Sequence, residues 1–175
     1  MSDARTVDGR SVIAGGKPQP LAGTTPAPGS KAPDFTLIGT DMQPRSMSDF
    51  AGKVLVLATL PSIDTGVCST EARRFNQIAG SLGDDVEILT ISTDLPFAQK
   101  RWCGAEGVDK VTMLSDHREV SFGNDYGVLI TTTRQLARCV FVVDRSGTIT
   151  HVDLLPAIAE EPDYDAAIAA VKAAL

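Results

Sequence analysis

One cysteine, Cys68, lies where a run of strand-forming residues gives way to a helix. The run is VLVLAT over residues 54–59, shortly before Pro61, and a short, continuous apolar run of this kind is typical of a strand buried on both faces. Thr65 is a suitable N-cap, which makes Cys68 the third residue of the helix. Unpaired N–H groups at a helix N-terminus stabilise an anion, so this position favours a thiolate.

Other interpretations of these residues are open at this point. Most cysteines in globular proteins are small buried apolar residues without a chemical role. Residue 71 is Glu71, so the C-x-x-C dithiol of thioredoxin-type enzymes is absent from this helix. A lone thiolate is better suited to attack on an electrophile than to disulfide exchange within one motif. Thr65 could be a cap alone, and Pro61 could simply end a strand.

The composition limits the classes of function. A chain of 175 residues is most simply one domain over residues 1–175. A net charge of −6 and a pI near 4.8 argue against nucleic acid or an anionic membrane as a partner. No stretch approaches the ~18 apolar residues of a membrane span, and no signal peptide is evident at the N-terminus.

The cysteine and histidine content predicts the compartment and the absence of a metal. Three cysteines are too few and too irregular for a secreted disulfide framework, which favours a cytoplasmic protein. His117 and His151 belong to no Cys/His cluster at ligand spacing. We therefore expect no metal and no cofactor.

The elements around Cys68 predict a strand–helix–strand unit. Val67, Phe75 and Ile78 recur at helical spacing, and Gly83 is a C-terminal stop. The apolar segment VEILTIS at residues 86–92 is the next strand. A strand, a helix and a second strand in this order place the two strands parallel to each other.

The remaining segments complete an α/β fold. A second helix is predicted after Asp94 as its cap, ending at Gly104 or Gly107, with weaker elements at residues 111–114 and 117–126. A β-hairpin over residues 138–154 and a final helix near Pro162 follow. This order predicts a thioredoxin-like fold, a mixed central sheet flanked by helices.

The N-terminal part of the chain predicts an extension of this fold. Asp8-Gly9 between two β-leaning segments indicates a hairpin over residues 5–13, and residues 15–33 indicate an irregular connection. Residues 1–33 are therefore assigned to a hairpin and irregular N-terminal extension.

Two segments resemble the peroxiredoxin family. PSIDTGVC, ending at Cys68, is similar to the P-x-x-x-T-x-x-C motif of that family. DLPFAQKRWCGAEG, which contains Cys103, resembles the second redox segment of the bacterial thiol peroxidases, the atypical two-cysteine peroxiredoxins. Further similarity covers APDFTL, LARCVFVVD and EEPDYDAA, so it extends over nearly the whole chain from about residue 5.

The resemblance implies a role for each of five residues. Cys68 would be the peroxidatic nucleophile, Thr65 the hydrogen-bond partner of thiolate and peroxide, and Pro61 the shield of the intermediate. Arg138 would be the cation of the pocket, although a lone arginine at the start of a strand is usually solvated. Cys103 would be the resolving thiol. A third cysteine, Cys139, follows Arg138 and is interpreted as a core residue on the opposite face.

The implied activity is a thiol-dependent peroxidase for hydrogen peroxide and organic hydroperoxides. The Cys68 sulfenic acid would condense with Cys103 to form an intramolecular disulfide, which thioredoxin would reduce. The resemblance also implies a homodimer. Two alternatives are a peroxide-sensing redox switch that acts through a partner and a thiol–disulfide oxidoreductase. We further expect both cysteine segments to unwind locally when the disulfide forms.

Overall fold

The structure, a computed structural model, describes residues 10–175. Its strands are β1 (Ser11–Ala14), β2 (Lys17–Pro20), β3 (Thr36–Gly39), β4 (Pro44–Ser46), β5 (Val54–Thr59), β6 (Val86–Ser92), β7 (Thr112–Ser115), β8 (Leu129–Ile130), β9 (Gln135–Leu136), β10 (Cys139–Val143) and β11 (Ile149–Leu154). Its α-helices are α1 (Gly66–Leu82), α2 (Pro96–Glu106), α3 (Ser121–Asp125) and α4 (Tyr164–Ala174), and a short 3₁₀ helix covers Met47–Phe50.

A seven-stranded mixed sheet is the centre of the fold. Its strands lie in the order β11-β10-β5-β6-β7-β3-β4. β5 is parallel to β6 and β6 to β7, whereas β10 is antiparallel to both β5 and β11. The predicted parallel strand–helix–strand unit is therefore confirmed as β5, α1 and β6. The predicted fold class, a mixed sheet flanked by helices with an N-terminal hairpin, is confirmed as well.

Every residue of β5 is buried because both faces of the sheet are covered. Leu55 and Leu57 pack into one hydrophobic core, which includes Phe122 of α3. Val56 and Ala58 point to the other face and pack into a second core, which includes Cys68 and residues of α1, α2 and α4. The alternation of side chains along β5 thus places Cys68 on the face that carries the three longer helices.

The described part of the chain contains a hairpin, β1 and β2, at a turn that the sequence analysis does not predict. β1 pairs with β2 across Gly15 and Gly16, whose φ angles of 58° and 74° suit a two-residue turn that favours glycine. The predicted Asp8-Gly9 turn lies outside the described residues. The prediction of a purely irregular connection over residues 15–33 is wrong for β2. β2 contains two prolines, which an edge strand tolerates because one of its sides is unpaired.

Smaller differences concern the ends of elements. The helix predicted over residues 117–126 is only α3, because Val120 adopts a left-handed conformation with φ of 49° just before it. The predicted hairpin of β10 and β11 and the final helix are confirmed, with Asp163 as the cap of α4. None of the helices within residues 10–175 combines the length and hydrophobicity needed to cross a bilayer.

Candidate active site

Cys68 lies in the first turn of α1, as the capping pattern predicts. Thr65 has the extended backbone of an N-cap, with φ of −107° and ψ of 150°, so Cys68 is the third helical residue. The Thr65 hydroxyl does not cap the helix; it donates to the Ser62 carbonyl oxygen at 3.1 Å. Cys68 is 1% exposed, so its sulfur lies among buried groups at the positive end of the helix.

The loop that leads into α1 is held by Asp94. The Ser62 hydroxyl donates to Asp94 Oδ1 at 2.8 Å, and the Ile63 N–H donates to Asp94 Oδ2 at 2.9 Å. The predicted role of Asp94 as the α2 cap is wrong, because the N-cap residue is Leu95. Neighbouring parallel strands end at the same edge of the sheet, so a carboxylate just after β6 reaches the loop just after β5.

Arg138 reaches the cysteine from a distant part of the chain. Cys139 is paired with Thr59 between β10 and β5, which brings Arg138 to the edge of the sheet where α1 begins. Its Nη2 donates to Cys68 Sγ at 3.1 Å. Nη2 and Nε also donate to the Ile158 carbonyl oxygen at 2.8 and 3.1 Å. At 1% exposure, Arg138 is not the solvated edge residue that its position in the sequence first suggests.

A buried acidic side chain, Glu71, completes the contacts of Arg138. Arg138 Nη1 donates to Glu71 Oε2, and the Glu71 side chain is fully buried. Burial raises the pKa of Glu71 to about 7, although Arg138 opposes this shift. Burial alone would lower the pKa of Arg138, but Glu71 and Cys68 together outweigh burial and raise it. The guanidinium therefore stays charged between two acidic side chains.

Sequence reasoning did not assign a role to Glu71. The available signal was its spacing, because a residue three positions after Cys68 lies on the same face of the helix. A glutamate on a face that is otherwise apolar needs a cation as its partner.

A cavity of about 470 Å³ opens beside the sulfur. Its lining is mainly apolar and is formed by Gly15, Pro61, Thr65, Gly66, Val67, Cys68, Gln135, Arg138, Ile158 and Ala159. Four of the predicted site residues, Cys68, Thr65, Pro61 and Arg138, therefore meet at one cavity. The turn of the N-terminal hairpin contributes Gly15 to its wall.

Within residues 10–175, Cys103 is not among the residues that line this cavity. It lies near the end of α2, half-buried, and burial raises the pKa of its thiol. It packs against the same core as Cys68 and faces a different cavity of about 290 Å³. All three cysteines are free thiols. The predicted nucleophile and the predicted resolving thiol are thus on neighbouring helices of one sheet face.

Cys139 lies in the other core. It is 0% exposed, packs with residues such as Leu57 and Phe141, and burial raises the pKa of its thiol well above the usual value. It is therefore a neutral, inaccessible thiol on the face of the sheet opposite Cys68.

Comparison with known proteins gives the family. The Redoxin family model matches residues 27–168, most of the chain. The chain belongs to the Redoxin family. Among the relatives of this Redoxin protein, the thiol peroxidase of Oceanobacillus iheyensis is 53% identical over 151 residues, 86% of this chain and 92% of that protein. The thiol peroxidase of Streptococcus pneumoniae is 52% identical over 158 residues, 90% of this chain and 96% of that protein.

Solved structures agree with this assignment. A peroxiredoxin-like protein from Aquifex aeolicus has a TM-score of 0.88 and 38% identity, and the alignment covers 95% of this chain and 98% of that one. The thiol peroxidase from Chromobacterium violaceum has a TM-score of 0.82 at 22% identity, which is a likeness of fold. That alignment covers 93% of this chain and 95% of the other. The resemblance to bacterial thiol peroxidases is confirmed, and this Redoxin protein is a thiol-dependent peroxidase. The redox-switch alternative is not favoured.

Proposed function

We propose that Cys68 is the peroxidatic nucleophile and that the adjoining cavity binds the peroxide. The observation that carries the proposal is the 3.1 Å contact between Arg138 Nη2 and Cys68 Sγ at the cavity wall. A cation at this distance stabilises a thiolate, which is the form of cysteine that attacks electrophiles. The first N–H groups of α1 add to this stabilisation.

The first step forms a sulfur–oxygen bond and breaks the oxygen–oxygen bond. The Cys68 thiolate attacks the terminal oxygen of ROOH, which leaves a sulfenic acid on the sulfur and releases ROH once the leaving oxygen is protonated. The Thr65 hydroxyl donates its hydrogen bond to the Ser62 carbonyl oxygen. The Thr65 oxygen therefore remains an acceptor for the peroxide O–H. Arg138 is a donor for the charge that develops on the leaving oxygen.

Pro61 is proposed to shield the intermediate. It is buried, lines the cavity and follows β5 at the start of the loop to α1. Because proline lacks an N–H, it ends the β5 pairing without leaving an unpaired donor beside the reactive sulfur.

Cys103 is proposed to resolve the sulfenic acid. Attack by its thiol on the oxidised sulfur gives an intramolecular disulfide and water, and thioredoxin is the proposed reductant of this disulfide. Bridged cysteines need Cα atoms within about 7 Å of each other. Cys68 lies in the first turn of α1 and Cys103 near the end of α2, so we propose that both segments unwind before the bond forms.

Substitution of the resolving cysteine tests the division of roles. We expect Cys103→Ser to react once with peroxide at Cys68, at a rate near that of the wild type. Turnover supported by thioredoxin and its reductase should be lost, because a serine hydroxyl cannot form the disulfide. The measurement is peroxide consumed per mole of enzyme, with and without the reducing system. Sustained turnover, or loss of the first reaction, would contradict the assignment.

The contacts between α1 and α2 make the proposed unwinding measurable. Arg73 and Glu106 form a 2.7 Å salt bridge between the helices. The Asn76 side-chain oxygen accepts from the N–H groups of Asp109 and Lys110 at 3.1 and 2.6 Å. If both cysteine segments unwind, these interactions are lost, and backbone hydrogen exchange rises around residues 66–70 and 100–110.

Trp102 gives a second measure of the same change. It is the sole tryptophan of the chain, it adjoins Cys103, and it is 8% exposed. We expect one equivalent of peroxide to change its emission and to raise exchange in both segments of the wild type. Cys103→Ser is the matched control and should keep the α2 segment protected. Constant emission and exchange in the wild type would contradict the unwinding.

The remaining assignments are part of the same proposal. A cavity whose described lining is mainly apolar and includes the Arg138 guanidinium suits hydrogen peroxide and organic hydroperoxides as substrates. We also propose a single domain over residues 1–175, with 1–33 as its extension, that forms a homodimer in the cytoplasm. The net charge of −6 supports the prediction that neither nucleic acid nor a membrane surface is a partner.

A further inference from the structure

Two buried acids share one guanidinium in this site. Arg138 donates to Cys68 Sγ through Nη2 and to Glu71 Oε2 through Nη1. None of the three side chains is more than 1% exposed. If Cys68 and Glu71 were both ionised, the trio would carry a net negative charge away from water, which is costly. One proton shared by the two acids makes the trio neutral.

The surroundings of Glu71 favour the proton on its carboxyl group. Within residues 10–175 its Oε1 has no hydrogen-bond partner, which disfavours the ionised form in the interior. Asp153 on β11 and Glu161 before α4 add negative potential, and burial with these charges raises the pKa of Glu71 to about 7. Tyr164 on α4 donates its hydroxyl to Glu161, and Cys139 on β10 stays neutral. Arg138 is the cation in contact with Glu71.

We propose that Glu71 stores the proton that peroxide reduction consumes. This inference rests on the proposed role of Cys68 as the nucleophile. In the reduced enzyme Arg138 neutralises the Cys68 thiolate while Glu71 is protonated. After oxidation the sulfur is uncharged, and Arg138 neutralises the Glu71 carboxylate instead. The trio is electrically neutral before and after the reaction, so no charge has to be moved into or out of the buried site.

The oxidation of Cys68 balances in atoms and charge with no net proton taken from solution. Cys68–S⁻, ROOH and Glu71–COOH become Cys68–SOH, ROH and Glu71–COO⁻. The sulfur loses two electrons to the oxygen–oxygen bond, one oxygen stays on the sulfur, and one proton leaves the carboxyl for each proton gained by the leaving oxygen. When a dithiol later reduces the disulfide, the Cys68 thiol returns its proton to Glu71. Glu71 does not touch the peroxide, so it is a positioning and proton-storing residue.

Counting protons during one oxidation tests the proposal. In the Cys103→Ser background the reaction stops at the sulfenic acid. One equivalent of hydrogen peroxide is mixed with this protein in weak buffer at about pH 8, and an indicator dye reports protons. At this pH a carboxyl of pKa about 7 ionises once the sulfur is uncharged, whereas the neighbouring Cys68 thiolate keeps the proton on it in the reduced protein. We expect no net uptake from solution. Cys103→Ser/Glu71→Gln should take up one proton per sulfur oxidised, and Cys103→Ser/Glu161→Gln, the matched control, should take up none.

The outcomes separate the two proposals. Equal proton counts for the Cys103→Ser protein and its Glu71→Gln derivative would overturn the proton store, although Cys68 would still be the nucleophile. A Cys68 that does not react with peroxide in any of these proteins would overturn the proposed function itself.

Infrared difference spectra test the proton-storing role of Glu71 without a substitution at that residue. In Cys103→Ser at about pH 8, peroxide should remove the carbonyl band of one protonated carboxyl group. Cys68→Ser should lack that band before peroxide is added, because without a thiolate Glu71 ionises against Arg138. Asp116, whose pKa burial raises to about 6, is mainly ionised at this pH and does not contribute to the band. A Glu71 band that is absent from the reduced protein, or that survives oxidation, would overturn the proposal.

Discussion

Replacing Cys68 with serine is expected to abolish peroxide reduction, with a loss on the order of 10⁴-fold or more. A serine hydroxyl in the first turn of α1 is not ionised at neutral pH and cannot accept an oxygen atom as sulfur does. The loss should appear both in turnover with thioredoxin and in the first reaction with one equivalent of peroxide. Stopped-flow mixing with hydrogen peroxide, read by a thiol count, is the measurement.

Cys139→Ala is the matched control for this substitution. Cys139 lies in the opposite core at 0% exposure, so its removal leaves a small apolar cavity and does not touch the peroxide site. We expect wild-type rates with a modestly lower free energy of unfolding. Peroxide turnover that survives in Cys68→Ser and disappears in Cys139→Ala would reverse the assignment.

Arg138→Met is expected to slow oxidation of Cys68 by about 10²–10³-fold, the usual effect of removing one donor from a developing negative charge. The substitution removes the 3.1 Å contact to Cys68 Sγ and the donor proposed for the leaving oxygen. Methionine keeps a comparable apolar stem, so the main loss is electrostatic. The rate of sulfenic acid formation and the ultraviolet absorbance of the thiolate are the two readouts.

Stability must be separated from chemistry in this variant, because Arg138 is also the partner of buried Glu71. Removing one partner of a buried ion pair costs about 3–5 kcal/mol when the remaining group stays ionised. Without Arg138, which lowers it, the pKa of Glu71 rises further above about 7. When the pKa of a group is higher in the folded than in the unfolded protein, the free energy of unfolding falls as pH rises from the unfolded pKa toward the folded pKa. The free energy of unfolding of Arg138→Met should therefore fall, relative to the wild type, as pH rises.

The double variant Arg138→Met/Glu71→Gln removes this dependence on pH. It should regain much of the lost stability while its oxidation of Cys68 stays slow. Urea unfolding at several pH values and single-turnover oxidation give the two quantities independently. A double variant that recovers the wild-type oxidation rate would mean that Arg138 acts only through the ion pair, and the proposed donor role would be wrong.

Local patterns in the sequence predicted the elements that carry Cys68. An apolar run identified β5, Thr65 and Gly83 marked the ends of α1, and the next apolar run identified β6. These inferences succeed because strand burial, capping and chain breaks depend on neighbouring residues. The hairpin of β1 and β2 was not predicted, since β2 contains prolines and is a strand only through its pairing with β1.

The amino-acid sequence by itself determined that a cysteine stands in the first turn of a helix after a buried strand, and the family resemblance supplied the roles of its partners. Folding in three dimensions was needed to bring Arg138 from 70 residues away to the sulfur and to pair it with Glu71. It was also needed to place Asp94 where it accepts hydrogen bonds from the loop before α1. These contacts depend on which strands are neighbours in the sheet and on which groups lose water when the layers pack. Neither property is encoded in a short stretch of the chain, so the charge balance around Cys68 became visible only in the folded protein.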